Sequence, residues 1–474
     1  MTFDELLKLV SLPDAPRVRT DSRVVKNGDI FVAVKGSSVD GHDYIEQAVA
    51  NGAKYIVSEQ NCGDGVIVAA DSAEAAGLLA QMSCGEPASK LINLAVTGTN
   101  GKTTIAYLVH SVIRNAGQNC GLIGTIVYDT GLDSYPATLT TPDAMVIAEK
   151  SAEMVKAGAE FMVLEASSHA LSQNRLAGID FKAAAFTNLT GDHLDYHKTE
   201  QEYLAAKARL FEKLSPESIA VLNKDSSAAE KLAAKTEAQI IWYSIETQAD
   251  LTGRIESMDT NGTVFTISYG GQRQKVRTSL LGRYNVSNAL AAAGLCLAAG
   301  FDLATISNGL SALEAVPGRL EAVQWDGDFS VLIDYAHTDD ALKNVLLTLK
   351  PLCEGRLIVV FGCGGDRDSS KRPRMAAVAE RLADIVVVTS DNPRTEQPEY
   401  IIGEIVTGFD NPVAETVITE LERETAIRIA IEMAGKDDVV LIAGKGHETY
   451  QILGDKRIDF SDKEVAARCL ADLK

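Results

Sequence analysis

The chain has 474 residues, 46% of them hydrophobic and 23% charged, the proportions of a globular protein with length for about three domains of ~150 residues each. Its 45 Lys and Arg stand against 65 Asp and Glu, a formal charge of −20, which argues against general nucleic-acid binding, because that needs a basic surface. The seven cysteines form no CxxC or CxxxxC pairs, so neither a zinc cluster nor a disulfide framework is indicated.

The opening MTFDELLKLV has no cationic n-region and does not read as a signal peptide. Up to residue 90, the strand-like runs GDIFVAV, AKYIVSE and GVIVAA mix with the helical pattern YIEQAVANG, and polar SCGEPASK (83–90) reads as a linker. The apolar run LINLAV then leads into GTNGKTT and the helically spaced TTIAYLVHSVIRNAG. A glycine-rich turn between strand and helix points backbone N–H groups at an anion, helped by the helix N-terminus. Lys102 would reach the outer phosphates and the Thr103 hydroxyl would coordinate Mg2+. The general phosphate-loop pattern has a glycine where Val96 stands.

From 91 to about 317, FMVLEA, AAAFTNL and SIAVLN alternate with helical patterns, which predicts a mostly parallel sheet wrapped by helices. Glu165 closes the first of these strands, where phosphate-loop folds keep carboxylates near a metal. His193, in FTNLTGDHLDYH, follows a second strand end and could meet the same cation, or that stretch could simply cap a helix. Lys207 lies in the helical EYLAAKARLF. It is either a surface lysine or a desolvated amine that loses its charge readily and can take up CO2 as a carbamate. VLNKDSS has Ser226 where a guanine-reading NKxD needs Asp, and FGCGGDRD lacks the GxGxxG spacing of a dinucleotide loop, which argues against a nicotinamide enzyme. ALAAAGLCLAAGF (289–301) is too short to span a bilayer, so a soluble cytoplasmic protein without membrane insertion is expected.

VPGR (316–319) marks a second boundary. Beyond it FSVLID, RLIVVFG, DIVVVTS and DVVLIAG make a new α/β set. The last three end in polar or glycine-rich loops, the edge at which open α/β sheets bind ligands. Five histidines, His42, His169, His193, His337 and His447, sit in polar clusters beside apolar runs.

GTNGKTT, LEASSHAL, FTNLTGDHLDYH, AAKARLF, LLGRYNVSNALAA, VPGRLE and DYAH occur in an order that resembles the Mur ligases, which add amino acids to the UDP-N-acetylmuramoyl precursor of peptidoglycan. TDSR, GCGGDRD, SDNPRTE and AGKGHE resemble the branch that adds the third amino acid. The resemblance covers the whole chain. It implies a three-domain α/β architecture: an N-terminal UDP-binding domain (1–90), a central phosphate-loop ATPase domain (91–317) and a C-terminal Rossmann-like domain (318–474) for the incoming amino acid. The implied reaction transfers the γ-phosphoryl of ATP to a carboxylate of UDP-N-acetylmuramoyl-L-alanyl-D-glutamate. An amine then attacks the acyl phosphate, giving an amide, ADP and phosphate, in the cytoplasm and by a monomer.

By the same resemblance, Gly98, Thr99, Asn100, Gly101, Lys102, Thr103 and Thr104 hold ATP, completed across the domain boundary by Asn285, Asn288, Arg319 and Asp334. Thr103, Glu165, His193 and Lys207, the last as a CO2-derived carbamate, organise Mg2+. Thr20, Ser22, Ser37 and Ser38 contact UDP, while Thr140, Thr141, Ser167, Gln173 and Arg175 hold the sugar-peptide. The amine is expected to be meso-2,6-diaminopimelate rather than L-lysine, because Arg394 can pair with the extra carboxylate in bidentate fashion. Arg367 is a second anchor, Asp391, Asn392 and Pro393 shape the loop, and Gly444 and Glu448 receive the distal ammonium. The family continues DYAHTPD where this chain has Asp339, which is also acceptable at a helix entry. A switch or motor that only hydrolyses ATP would need neither the third domain nor the second set of motifs. Folylpolyglutamate synthetase and other Mur ligases share the central domain but not DNPR.

Overall fold

Parallel strands covered by helices on both faces must be apolar along their whole length. This is why LINLAV, FMVLE and RLIVVF read as continuous hydrophobic runs, and they form strands. A computed structural model describes residues 1–473 apart from 37, 38, 62, 64, 192, 193, 260 and 261, and only the backbone at 194 and 195.

The first sheet contains β1 (Val18–Arg19), β2 (Ile30–Val32), β3 (Tyr55–Ser58) and β4 (Val66–Val68) in that order, all parallel. Its core joins Leu6, Val10, Ile30, Val32 and Val57 to Ala75 and Leu79 of the helix Ser72–Ser83. The segment 83–90 is packed rather than extended. Pro87 and Ala88 are buried in a single 3-10 turn, and the Ala88 amide donates to Gln81 Oε1 at 3.2 Å.

The second sheet is built from β5 (Ile92–Thr97), β6 (Cys120–Ile123), β7 (Val127–Asp129), β8 (Ser134–Pro136), β9 (Phe161–Glu165), β10 (Ala183–Phe186), β11 (Ile219–Asn223), β12 (Gln239–Ser244), β13 (Leu251–Asp259), β14 (Gly262–Tyr269) and β15 (Gln272–Thr278). Their order is β15-β14-β13-β12-β11-β10-β5-β9-β6-β7-β8. The strands from β13 through β6 pair in parallel, as the alternation of runs predicts, while β7 and β8 add antiparallel. The chain leaves β5 through Gly101, the N-cap of the helix Lys102–Asn115.

The third sheet contains β16 (Glu321–Ala322), β17 (Ser330–Asp334), β18 (Leu357–Phe361), β19 (Ile385–Val388), β20 (Val417–Thr419) and β21 (Val439–Ala443), ordered β16-β17-β21-β18-β19-β20. All its pairings are parallel except that of β16 with β17. Side chains alternate between faces as a pleat requires. Leu357, Val359 and Phe361 pack with the helices Asp339–Leu349, Lys371–Leu382 and Pro398–Val406, whereas Ile358 and Val360 pack with Arg423–Met433 and Asp462–Asp472. Asp339 opens its helix behind the N-cap Thr338 and pairs with Arg374 at 3.0 Å, so the departure from proline is accommodated. A hairpin of β22 (Tyr450–Leu453) and β23 (Lys456–Asp459) follows.

The chain divides into two compact units, Met1–Arg254 with Thr266–Val276 and Ser287–Ala312, and Ile255–Phe265 with Arg277–Val286 and Leu313–Lys474. Among the described residues, no helix is long and apolar enough to cross a membrane.

Within the first unit the helix Leu303–Ala312 lies against Lys102–Asn115 at Gly309, where a Cβ would sit 2.3 Å from the Val112 Cα. The Ser111 hydroxyl donates to the Gly309 carbonyl at 2.8 Å. Gly309→Ala is expected to destabilise the protein by about 1–3 kcal/mol, the range for overpacking, and to lower the urea midpoint. An unchanged midpoint would refute this close helix contact.

Candidate active site

The phosphate-loop residues are held by the end of the neighbouring strand. The Thr99 amide donates to the Asn188 carbonyl at 2.9 Å, the Asn100 amide to Asn188 Oδ1 at 2.9 Å, and the Thr187 hydroxyl to the Asn100 carbonyl at 2.6 Å. Gly101 adopts φ 90°, and a Cβ there would lie 2.3 Å from Asn288 Oδ1, so backbone conformation and crowding both require glycine. Lys102 Nζ donates to the carbonyls of Gly98 and Thr99, both at 2.9 Å. Thr103 and Thr104 are buried in the first turn of the helix.

Glu165 closes β9 with no exposed surface. Its carboxylate accepts from the Thr103 hydroxyl, the Thr125 amide and the Thr125 hydroxyl, each at 2.9 Å. Lys207 is 1% exposed, so it faces the core and is not a surface lysine. Its Nζ donates to the Gly98 carbonyl at 2.8 Å and lies 4.3 Å from the Tyr203 ring centroid. Glu165 and Lys207 thus both reach the loop segment 98–103. His193 lies outside the described residues.

A cavity of about 630 Å³ opens in the same unit, lined by Thr20, Ser22, Tyr44, Met145, Gln173 and Arg175 among others. The Ser22 hydroxyl is fixed by Gln47 Oε1 at 2.7 Å. Arg175 donates to the Thr141 carbonyl at 2.7 Å and to Gln173 Oε1 at 2.7 and 3.0 Å. Burial pulls the Arg175 pKa down, opposed by the nearby charge of Asp143. The Thr141 hydroxyl donates to the Glu165 carbonyl at 2.6 Å and lies 3.1 Å from Ser167 Oγ, while the Thr140 and Thr125 hydroxyls are 3.1 Å apart, so polar contacts run from Arg175 through Thr141 to Glu165. Ser37 and Ser38 lie outside the described residues.

In the second unit, the Asp334 carboxylate accepts the amides of Leu320 and Ala336, both at 2.8 Å. Burial pushes its pKa above the usual carboxylate value, against the opposing charge of Arg319 and these amides. The Arg319 guanidinium stacks 4.8 Å from the Tyr335 ring centroid, and Asn285 Nδ2 donates to the Leu281 carbonyl at 2.7 Å. The ring of His447 lies 5.0 Å from that of Tyr335, and its buried Nδ1 has no hydrogen-bond partner among the described residues.

The loops expected to take the amine meet at one edge of the third sheet. Asn392 Nδ2 donates to Glu448 Oε2 at 2.8 Å, and Gln451 Nε2 to the Asp391 carbonyl at 2.7 Å. Arg394 has φ 53°, and its Nη1 donates to the carbonyls of Gly365 at 2.7 Å and Asn392 at 3.4 Å. Gly444, with φ 114°, donates its amide to the Asp334 carbonyl at 3.0 Å. Pro393 separates Asn392 from Arg394, and exposed Arg367 donates to the Asp366 carbonyl at 3.1 Å. Lys445, absent from the sequence expectations, is fully buried and bridges Glu448 Oε2 at 3.0 Å and Asn392 Oδ1 at 3.2 Å. Thr125 and Tyr203, also unanticipated, hold Glu165 and Thr99 Oγ1, the latter at 3.2 Å. The signal for Lys445 lay in AGKGHE, whose lysine stands three residues before Glu448.

Family models match three stretches of the chain, described as Mur ligase family, catalytic domain (residues 16–80), Mur ligase middle domain (96–296) and Mur ligase, glutamate ligase domain (318–446). The chain is 46% identical over 462 residues to the UDP-N-acetylmuramoyl-L-alanyl-D-glutamate--2,6-diaminopimelate ligase of Geobacillus thermodenitrificans, covering 96% of this chain and 94% of that protein. It also matches a solved structure of a ligase of that name with TM-score 0.69 and 34% identity, over 100% of this chain and 99% of the other. A Mycobacterium tuberculosis folylpolyglutamate synthase complexed with ADP and AMPPCP shares the fold, with TM-score 0.65 and 19% identity over 82% of this chain and 92% of the other.

Burial, with the charges of Arg319 and Lys445, pulls the His447 pKa from its ordinary value of 6.5 down to about 4. Between these values the unfolded chain binds more protons than the folded one, so this group's contribution to stability falls as pH drops from 6.5 towards 4. Over that window the wild type should lose up to about 3 kcal/mol more than His447→Gln, read from urea midpoints at the two ends. Parallel losses in both proteins would put the His447 pKa near its ordinary value.

Proposed function

The chain belongs to the Mur ligase family, and we propose that it joins meso-2,6-diaminopimelate to the D-glutamate of UDP-N-acetylmuramoyl-L-alanyl-D-glutamate. It is an ATP-dependent amide ligase of peptidoglycan synthesis. The geometric observation that carries the choice of amine is the presence of a guanidinium and a carboxylate on one hydrogen-bonded loop cluster at one edge of the third sheet. The guanidinium of Arg394 and the carboxylate of Glu448 are joined through Asn392, a match for an amino acid with a carboxylate and an ammonium at its far end.

In this reading residues 1–90 bind UDP through Thr20, Ser22, Ser37 and Ser38, residues 91–317 bind ATP, and residues 318–474 bind the amine. The loop Gly98–Thr104 holds the phosphates with Lys102 on the outer ones, completed by Asn285, Asn288, Arg319 and Asp334. Arg175, with Thr140, Thr141, Ser167 and Gln173, orients the sugar-peptide so that its D-glutamate carboxylate faces the γ-phosphorus. That carboxylate oxygen bonds to phosphorus as the bond to ADP breaks. The neutral amine nitrogen then adds to the acyl carbon and gives up a proton to solvent, and phosphate leaves from the tetrahedral intermediate to give the amide. Positioning and charge neutralisation supply most of the rate. The protein acts in the cytoplasm as a monomer.

Mg2+ prefers hard oxygen donors and is commonly held by one or two carboxylates together with substrate phosphates. The Thr103 hydroxyl and Glu165 carboxylate, 2.9 Å apart, fit that donor set. Among the described residues no cluster of three His, Cys, Asp or Glu side chains forms a separate cage. Thr103, Glu165, His193 and Lys207 would hold the ion, which when bound neutralises phosphate charge. Lys207 suits a carbamate because it is buried at the loop. Burial favours the neutral amine, which bonds to the carbon of CO2 and releases a proton to leave an anion.

Lys207→Ala should lose nearly all ligase activity, and small carboxylates supplied in solution should restore part of it. Full activity in the variant would overturn the assignment. For the amine, wild type should prefer diaminopimelate over lysine in kcat/KM, and Arg394→Ala should lose about 30-fold to several thousand-fold of that preference, corresponding to ~2–5 kcal/mol for a broken charge pair. Equal use of lysine by wild type, or an unchanged preference in the variant, would refute diaminopimelate selection by Arg394.

A further inference from the structure

Arg372, in the first turn of the helix Lys371–Leu382, is 1% exposed and has no part in the roles above. Its Nη1 donates to Glu396 Oε2 at 2.9 Å and to Glu404 Oε2 at 2.7 Å, and its Nη2 to Glu396 Oε1 at 2.8 Å and the Gly364 carbonyl at 3.2 Å. Gly364 lies in the loop that carries Arg367, and Glu396 follows Arg394 by two residues. One buried cation therefore ties together the two loops that carry the arginines proposed to meet the amine's distal carboxylate.

Above this tie the loops are zipped along their length. The Gly365 amide donates to the Asn392 carbonyl at 2.9 Å, the Asp366 amide to Glu396 Oε1 at 2.6 Å, and the Thr395 hydroxyl to Asp366 Oδ1 at 2.7 Å. A Cβ on Gly365 would lie 1.9 Å from the Pro393 carbonyl oxygen. Asp366 and Arg394 both adopt left-handed backbone, with φ 55° and 53°. Such conformations persist only where the surroundings over-determine them. Desolvating a guanidinium is costly, and an apolar side chain would fill the space under a helix at less cost. What the charge adds is a fixed distance between two loops.

We infer that Arg372 is a positioning residue for amine selectivity, acting with Glu396 to set the placement of Arg394 relative to Arg367. This rests on reading those two arginines as the anchors of the distal carboxylate. Glu404 supplies a control, because it binds the same guanidinium from the helix Pro398–Val406 and belongs to neither loop.

The test measures kcat and KM with diaminopimelate and with lysine for wild type, Arg372→Lys, Glu396→Gln, Glu404→Gln and Arg394→Ala. Arg372→Lys and Glu396→Gln should raise the diaminopimelate KM about tenfold or more, the scale of a lost charge-assisted hydrogen bond. Their KM for ATP and for the nucleotide-dipeptide should not move, and their use of lysine should be retained. Glu404→Gln should keep the wild-type preference to within about twofold, a difference below ~0.5 kcal/mol. If Arg372→Lys does not fold, Glu396→Gln carries the test, since that side chain is one-third exposed. Unchanged preference in Glu396→Gln, or an equal loss in Glu404→Gln, would overturn the positioning role provided Arg394→Ala does lose preference. If Arg394→Ala also keeps its preference, the assignment of the anchors fails, and the role of Arg372 fails with it.

Discussion

A parallel sheet delivers all its strand ends to one edge, and the register of its hydrogen bonds decides which residues arrive there together. In the second sheet Val96 is opposite Glu165 and Thr97 is opposite Phe186. Gly98 and Thr187 therefore leave the sheet at one level, with Ala166 one residue behind them, which puts the Glu165 carboxylate beside Thr103 and Asn188 beside the loop amides. In the third sheet Asp334 is opposite Ala443 and Phe361 is opposite Val388. The loops beginning at Tyr335, Gly362, Thr389 and Gly444 consequently emerge together. A shift of one residue in either register would turn every side chain to the other face and bury the loop residues in the cores.

The edge of the third sheet is held from below by a buried ion pair. Arg423 and Asp462, neither with exposed side-chain surface, meet at 2.7 Å. The same guanidinium donates to the Ser390 carbonyl at 3.1 Å and the Ala443 carbonyl at 3.0 Å. It thus fixes the start of the loops that carry Arg394 and Glu448. Burying such a pair contributes little net stability compared with apolar packing. Its consequence here is positional, since it joins two helices of one face to two strand ends.

Much of this was legible in the sequence because the signals are local. Strand, turn and helix around GTNGKTT occupy one continuous stretch, and the apolar runs of the third sheet are bounded by glycine and polar residues. The strands β13 to β15 were not legible, because LTGRIESMD and QRQKVRT are polar on the exposed face and carry no continuous apolar run. The burial of Lys207 was equally hidden. EYLAAKARLF is amphipathic, but whether its lysine faces Gly98 depends on a contact 109 residues away. Thr125 and Arg372 escaped for the same reason, since each has partners from distant segments, whereas Lys445 has Glu448 three residues on as a local signal. The turn at 83–90 reads as polar, yet Asn93 and Gln81 satisfy its backbone and let Ala88 be buried.

Two contrasting settings for arginine occur in this strongly acidic chain. Arg423 and Arg372 each meet a carboxylate on two nitrogens, and Arg356 meets Asp438 in the same way. Their charge is cancelled where they stand, so they act as ties within the fold. Arg175 and Arg394 donate to backbone carbonyls, and Arg175 also to an amide oxygen. Those acceptors orient a guanidinium without neutralising it, so its positive charge stays directed at whatever approaches. A chain of formal charge −20 repels anionic substrates at long range, but salt screens that repulsion within about 10 Å. At contact the local charge decides, and Arg175, Arg367 and Arg394, the arginines proposed to meet the sugar-peptide and the amine, all donate to neutral acceptors.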